Sequence, residues 1–397
     1  MGILDDHLAL TPPAQEGSAL RVTALIRDSR HRVFVRRLLP SDSRPGGWEA
    51  VGRDVPAGES AGAVLVRAVA EETGWTLGQV EALLDDRERR DGAHRLRDLA
   101  FLVRVDGDLT APRLAEGRYD AHGWVGVRDL GPFRTGGTQG RTRGGHALTE
   151  RPDQELAGEG ADGRRGDGHR TDGEQGDRHR TSGERGDGDS IDGAPADAAT
   201  AEVVVKAART RLSARLRLEP VGPEHSEDLW RLHVHPDVAA WLGGPWTQEV
   251  ARRSAVRVRA GWDAAGAGIW VAYDRVTGEL VGRGGLAPYS LDGLATYEVG
   301  WIVHPDRWGQ GYATEMGMAG LEFAFQELGA REVVAFTLPH NTRSRAVMDR
   351  LGMRYDREIV HAGMGHVLYV RRNPAADDNG RNRPYSRHDE DSGTSRI

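Results

Sequence analysis

The sequence predicts two mixed α/β units separated by a segment with nothing to bury. Three observations carry that reading. Strand-like and helix-like apolar periods alternate over residues 19–130 and again over 209–373. Between them, residues 151–190 contain no aromatic side chain, 10 glycines and 18 charged residues. Apolar residues make up 38% of the 397, below the usual ~45–50%, and glycine reaches 53.

The elements follow in order. Residues 20–39 read as two strands, LRVTALIRD and HRVFVRRLL, joined by a polar turn. Residues 60–73 read as a helix, 98–105 as a strand, and 122–128 as a short strand closing the unit. In the second unit RLRLEPV (215–221) is a strand, and 226–242 and 247–262 are helical. Strands are expected at 268–274, 279–287 and 295–303, then a helix at 314–328, a strand at 331–337, a helix at 342–351 and a strand at 365–371. Each unit is therefore α+β or α/β, not a helical bundle.

Residues 131–208 are expected to be a disordered linker, because such a composition cannot offset the entropy of ordering. A ten-residue repeat, GDGHRTDGEQ (166–175) then GDRHRTSGER (176–185), has no apolar position and cannot stack into a core. His169 and His179 recur in it, with a solvated repeat the favoured reading and a metal-binding tract the alternative. As free coil the linker is long enough to uncouple the two units. Residues 1–18 and 374–397 are expected to be disordered tails.

Several classes are disfavoured. The absence of cysteine rules out disulfides, a thiolate nucleophile and cysteine-ligated metals. No apolar run is long enough for a transmembrane helix. The opening residues carry acids where a secretory leader carries basic groups, and Asp6 argues against myristoylation, so a cytoplasmic location is expected. Residues 19–130 hold 18 basic and 18 acidic groups, and 209–373 hold 20 and 19, so neither unit is the basic body that nucleic acid attracts. Lys206 is the one lysine among 53 basic residues.

Residues 52–75, GRDVPAGESAGAVLVRAVAEETGW, set carboxylates on a helix after a glycine turn. Glu59, Arg67, Val69, Glu71, Glu72, Gly74 and Trp75 have the spacing of the Nudix hydrolase box, and residues 20–130 resemble that family. The resemblance implies an α/β/α sandwich and a pyrophosphate hydrolase whose cation is held by helix carboxylates. Hard cations such as magnesium need several such oxygens on a rigid element. Glu71 and Glu72 are the expected ligands, with Glu59 and Arg67 supporting and Arg67 placed to orient Glu71 across one turn. At about 100° per residue, position 68 falls between Glu71 and Glu72. It is Ala68, where the family has Glu; Arg53 and Val51 also depart from the pattern. The cage is thus weakened, with Glu88, Asp91, Asp98 and Glu116 as substitutes.

Residues 297–328, YEVGWIVHPDRWGQGYATEMGMAGLEFAFQEL, run from a strand through a glycine loop into a helix, a cradle for a pyrophosphate. With HPDVAAWLGGP (235–245) and PHNTRSRAVMDRLGM (339–353), residues 209–373 resemble the GNAT acetyltransferases, in the branch of the ribosomal-protein N-acetyltransferases. The resemblance implies a mixed, mostly antiparallel sheet flanked by helices, with acetyl-CoA as cosubstrate. The acetyl-CoA loop falls on Trp308, Gly309, Gln310, Gly311, Tyr312 and Ala313, with Thr314 following. Trp308 stands in place of Gln or Arg. The main chain of Ile302 and Val303 would pair with the pantetheine arm, and Asn341 would contact the cofactor's outer end or simply cap its helix.

Glu298 is the expected base for the acceptor amine. Ser344 or Tyr312 would return a proton to the thiolate, with His304 and His340 as backup bases. Trp230, Trp241, Trp246, Trp262 and Trp270 are expected to build core and acceptor pocket. The resulting expectation is an N-acetyltransferase acting on a small-molecule or protein N-terminal amine, fused to a Nudix domain of weak or lost activity. The alternatives are a binding or regulatory protein sensing a nucleotide or CoA-like ligand, and an active Nudix hydrolase.

Overall fold

A computed structural model describes residues 18–41, 46–91, 94–133 and 193–375. The repeat, His169 and His179, and nearly all of both tails lie outside the described residues. The chain divides into two compact units, one running through Arg283 and the other from Gly284 onward.

In the first unit, β1 (Ser18–Ile26) pairs antiparallel with β4 (Val51–Val55) and parallel with β6 (His94–Asp106). β5 (Thr76–Asp91) is antiparallel to β6. A second sheet has β2 (Val33–Leu38) between β3 (Gly47–Glu49) and β7 (Tyr119–Val125). The period-2 alternation of strands sorts apolar residues to two faces. Val22, Ala24, Leu99 and Phe101 pack with helix α1 (Ala61–Thr73). Leu25, Ala100 and Leu102 pack on the other side. The Ser60 hydroxyl accepts the Ala63 N–H at 3.2 Å to start α1, and Gly74, at φ 74°, ends it.

The opposite face is covered from an unexpected place. Residues 193–208, read from composition as the end of a disordered linker, are ordered. Pro195 forms a parallel bridge with Trp48. Asp197 then caps helix α2 (Ala198–Arg209), its carboxylate accepting the Thr200 N–H. Ala201, Val204, Val205, Ala207 and Ala208 are buried against Leu25, Val35, Leu102 and Phe133. Burying Val204 and Val205 alone is worth about 3–6 kcal/mol. The second helical layer of the N-terminal sandwich is thus supplied by chain that follows residue 192.

The same helix is anchored to the start of the C-terminal domain. Arg209, 1% exposed, donates to Asp263 (2.8 Å) and to the Trp262 carbonyl (2.9 Å). The Trp270 indole donates to the Arg209 carbonyl at 2.8 Å. From the N-terminal side, Arg27 donates to the Thr210 carbonyl at 2.9 Å. Lys206 pairs with Glu219 at 2.9 Å. Burial pushes the Glu219 carboxyl up, but a hydrogen bond from His225 and the charges of Lys206 and Arg217 bring it down to about 2. The expectation of two uncoupled units is corrected: Trp262 and Trp270 are core, and they meet the helix shared by both domains.

The first unit continues with β8 (Arg211–Leu212), β9 (Leu216–Pro220), α3 (Ser226–Val234), α4 (Pro236–Leu242), α5 (Gln248–Ala265) and β10 (Ile269–Asp274). The expected single helix over 226–242 breaks at His235, because Pro236 lacks the N–H needed to continue it. β11 (Leu280–Leu291) starts in this unit and ends in the next. The second unit holds β12 (Leu294–Val303), α6 (Tyr312–Glu322), β13 (Glu332–Thr337), α7 (Thr342–Arg350), β14 (Arg354–His361) and β15 (Met364–Arg372). Its strand order is β11-β12-β13-β15-β14, with β12 and β13 parallel and the β13–β15 and β14–β15 pairs antiparallel. No helix among the described residues is long and apolar enough to cross a membrane.

Candidate functional site

In the second unit, β12 and β13 pair at only two positions, Tyr297 with Val333 and Glu298 with Val334. Both strands run on, β12 to Val303 and β13 to Thr337, with no further pairing between them. The strands therefore part immediately after Glu298, which leaves that edge of β12 unmatched by β13 along Val299–Val303. Glu298 is 2% exposed at the point of separation. Tyr289 lies close enough that its hydroxyl is pushed up, first by burial and then by the charge of Glu298.

The loop beyond β12 is organised by its own side chains. His304 accepts the Asp306 N–H at 3.4 Å, a turn-forming role. The Trp308 indole donates to the Val303 carbonyl at 2.8 Å, so the loop folds back on the end of the strand. Arg343 lies 4.7 Å from the Trp308 ring. Gly309 and Gly311 have φ of 75° and 85°, in the left-handed region that favours glycine. A Cβ built on Gly309 would meet nothing within 4 Å, so the backbone there faces open space. Gly311 is the N-cap of α6, and the Tyr312 side chain is buried beneath it.

Asn341 takes the capping role anticipated as its alternative. Its carbonyl oxygen accepts the Ser344 N–H at 3.1 Å, and its amide donates to the Thr337 hydroxyl at 3.0 Å. Ser344 thus stands in the first turn of α7, and His340 is exposed. The structure brings Glu298, Ile302, Val303, the glycine loop, Tyr312, Ala313 and Thr314 into one continuous stretch along β12 and into α6. Trp246 belongs to the first unit, stacked on the His233 ring with centroids 3.7 Å apart. Composition and spacing gave no sign of that stacking.

The N-terminal carboxylates are arranged differently from expectation. Ala68 is fully buried among Val22, Phe34 and Val51, not exposed at the centre of an acidic face. Arg67 pairs with Glu59 at 2.6 Å and not with Glu71. Glu71 is taken by Arg53 at 2.5 Å. Glu72 is taken by Arg36 at 2.6 Å and Arg53 at 3.1 Å. Arg36 is fully buried and was not singled out by sequence, where it read as one basic position in a strand. Among the described residues no three His, Asp or Glu side chains are placed to hold a metal, so Glu88, Asp98 and Glu116 do not rebuild the cage. The Asp91 side chain lies outside the described residues. Magnesium does not fit this arrangement.

Comparison with known proteins places both domains. Residues 215–354 match the acetyltransferase (GNAT) domain, and residues 17–142 match the NUDIX domain. The chain is similar to the FsC-acetyl coenzyme A-N(2)-transacetylase of Aspergillus fumigatus, 35% identical over 162 residues, covering 38% of this chain and 68% of that protein. It is also similar to the uncharacterized protein YkkB of Bacillus subtilis, 28% identical, covering 42% of this chain and 97% of that protein. Among solved structures, a GNAT-family acetyltransferase from Bacillus anthracis is 24% identical, covers 41% of this chain and 98% of its own, and has a TM-score of 0.36. By its matched domains and its likeness to the Aspergillus transacetylase, the chain belongs to the GNAT acetyltransferases and carries a NUDIX domain ahead of the acetyltransferase domain.

Proposed function

We propose that the protein moves acetyl from acetyl-CoA to a primary amine by direct attack within a ternary complex. The observation that carries this reading is the parting of β12 and β13 at Glu298, directly before the glycine loop and the N-terminus of α6. The cofactor's pyrophosphate sits at the backbone N–H groups of Gly309 to Ala313, where orphan helix donors and the helix dipole favour negative charge. The pantetheine arm runs along Ile302 and Val303, on the edge of β12 that β13 does not pair.

The neutral acceptor amine attacks the thioester carbonyl carbon, and its nitrogen passes a proton to the buried Glu298 as the C–N bond forms. The tetrahedral intermediate collapses by breaking the C–S bond, and CoA leaves as a thiolate that takes up a proton from Tyr312, Ser344 or water. With no cysteine in the chain, no cysteinyl acyl-enzyme can form.

The acceptor is a small-molecule or protein N-terminal amine. The name of the Aspergillus relative describes acetyl transfer to an N(2) position, which supports an amine nitrogen as the acceptor. The test is an acceptor screen that reads CoA release with a thiol reagent, to which the protein adds no background. Acetyl-CoA consumption that no amine stimulates would overturn the reading.

A further inference from the structure

Three carboxylates, Glu71 and Glu72 of the N-terminal helix and Glu49 of β3, are each matched by a guanidinium. Arg36 donates to Glu72 at 2.6 Å and to Glu49 at 3.2 Å. Arg53 bridges Glu71 and Glu72 at 2.5 and 3.1 Å. Arg118 lies 4.0 Å from Glu49, which also accepts the Tyr119 hydroxyl at 2.7 Å. Arg36 is 0% exposed and sits over the Tyr119 ring at 4.2 Å. Three guanidiniums face three carboxylates, so the cluster is electroneutral.

A divalent cation needs a ligand set with surplus negative charge. Here it would have to detach Arg53 and then stand beside Arg36, a buried cation that cannot move to water without losing both of its partners.

We propose that Arg36 and Arg53 occupy the role a divalent cation plays at such a carboxylate helix, so that the N-terminal domain is a cation-independent module and carries out no metal-assisted pyrophosphate cleavage. Arg53 is the residue that closes the site. Arg36 is the residue that makes Glu72 structural, since a buried guanidinium requires its carboxylate. This inference does not depend on the acetyl-transfer chemistry and survives its failure.

The experiment titrates the full chain with magnesium and, separately, manganese chloride, following heat of binding and melting temperature against sodium chloride of equal ionic strength. The wild-type protein is expected to show no saturable heat and no shift beyond the salt control. Arg53→Gly is expected to gain saturable manganese binding, at least about tenfold tighter than any residual wild-type signal. Adding Glu71→Gln is expected to remove that gain. Saturable magnesium binding by the wild type that Glu71→Gln abolishes would overturn the proposal, and this arm needs no variant at Arg53. A folded Arg53→Gly protein that gains no manganese affinity would overturn the assignment of closure to Arg53.

Discussion

The glycine loop of the C-terminal domain and the carboxylate helix of the N-terminal domain are both candidate sites that a short motif announces, and they are built differently. The loop is built from backbone: N–H groups at Gly309 to Ala313, two left-handed glycines and a helix terminus. Its one departure from pattern, Trp308, is absorbed by folding back on Val303. The carboxylate helix presents side chains: Ala68 is buried in the core, and Arg53 pairs with Glu71 and Glu72. A backbone site tolerates sequence drift because its donors belong to every residue. A side-chain site is lost with its charges.

The largest expected effect tests the N-terminal half of that comparison. Arg36→Met leaves Glu49 and Glu72 buried without their shared cation, and removing one partner of a buried pair typically costs about 3–5 kcal/mol. Urea unfolding should report a loss of that size; a loss below about 1 kcal/mol would mean the cluster is not what holds α1 to the sheet.

Next in size is the loop. Gly311→Asp introduces a Cβ in a left-handed conformation and a carboxylate at the proposed pyrophosphate site. Calorimetry should show CoA affinity falling at least about 100-fold, or about 2.7 kcal/mol. The local strain costs only about 1–2 kcal/mol of stability, so the fold should survive by circular dichroism. Normal CoA binding by this variant would remove the phosphate-cradle assignment.

Glu298→Gln separates chemistry from binding. It keeps the shape at the parting of β12 and β13 but cannot accept a proton. Turnover should fall about tenfold or more, most strongly near neutral pH, with the KM for acetyl-CoA nearly unchanged. An unaltered kcat would move the base elsewhere.

The smallest expected effect is none at all. Proteolytic cleavage within 134–192 should leave the two fragments together, because α2 completes one face of the N-terminal core and is also anchored by Arg209 and Trp270. Gel filtration of the nicked protein should give the intact elution volume, with dissociation only in denaturant. Two separately eluting folded fragments would show that α2 is not shared.

Much of the C-terminal domain was legible. The glycine loop, the strand that carries Glu298, the helix after the loop and the cap at Asn341 all follow from local order along the chain, and local order is what sequence carries. The N-terminal misreadings share one cause. Helix α2 has Ala201, Val204, Val205 and Ala208 at helical spacing after the capping Asp197, but the polar composition before it masked that signal. β5, ending in DDRERRD, was missed because its charges find distant partners, Asp86 pairing with Arg97 across the sheet at 2.7 Å and Arg87 with Glu202 of α2 at 2.6 Å. Arg36 in β2 reached Glu72 over 36 positions, a partnership that no spacing rule contains.

The sequence by itself determined the two domain types, the glycine loop that runs into a helix, and the alanine at position 68 where the family has glutamate. It did so because turns, caps and helix faces are settled within about a dozen residues, where side chains and backbone meet without help from the rest of the chain. Only the tertiary structure decided that α2 serves both domains and that the remaining carboxylates face guanidiniums. Burial and charge pairing are set by which distant segments come together, and a charge reads the same in sequence whether it faces water, a metal or an arginine.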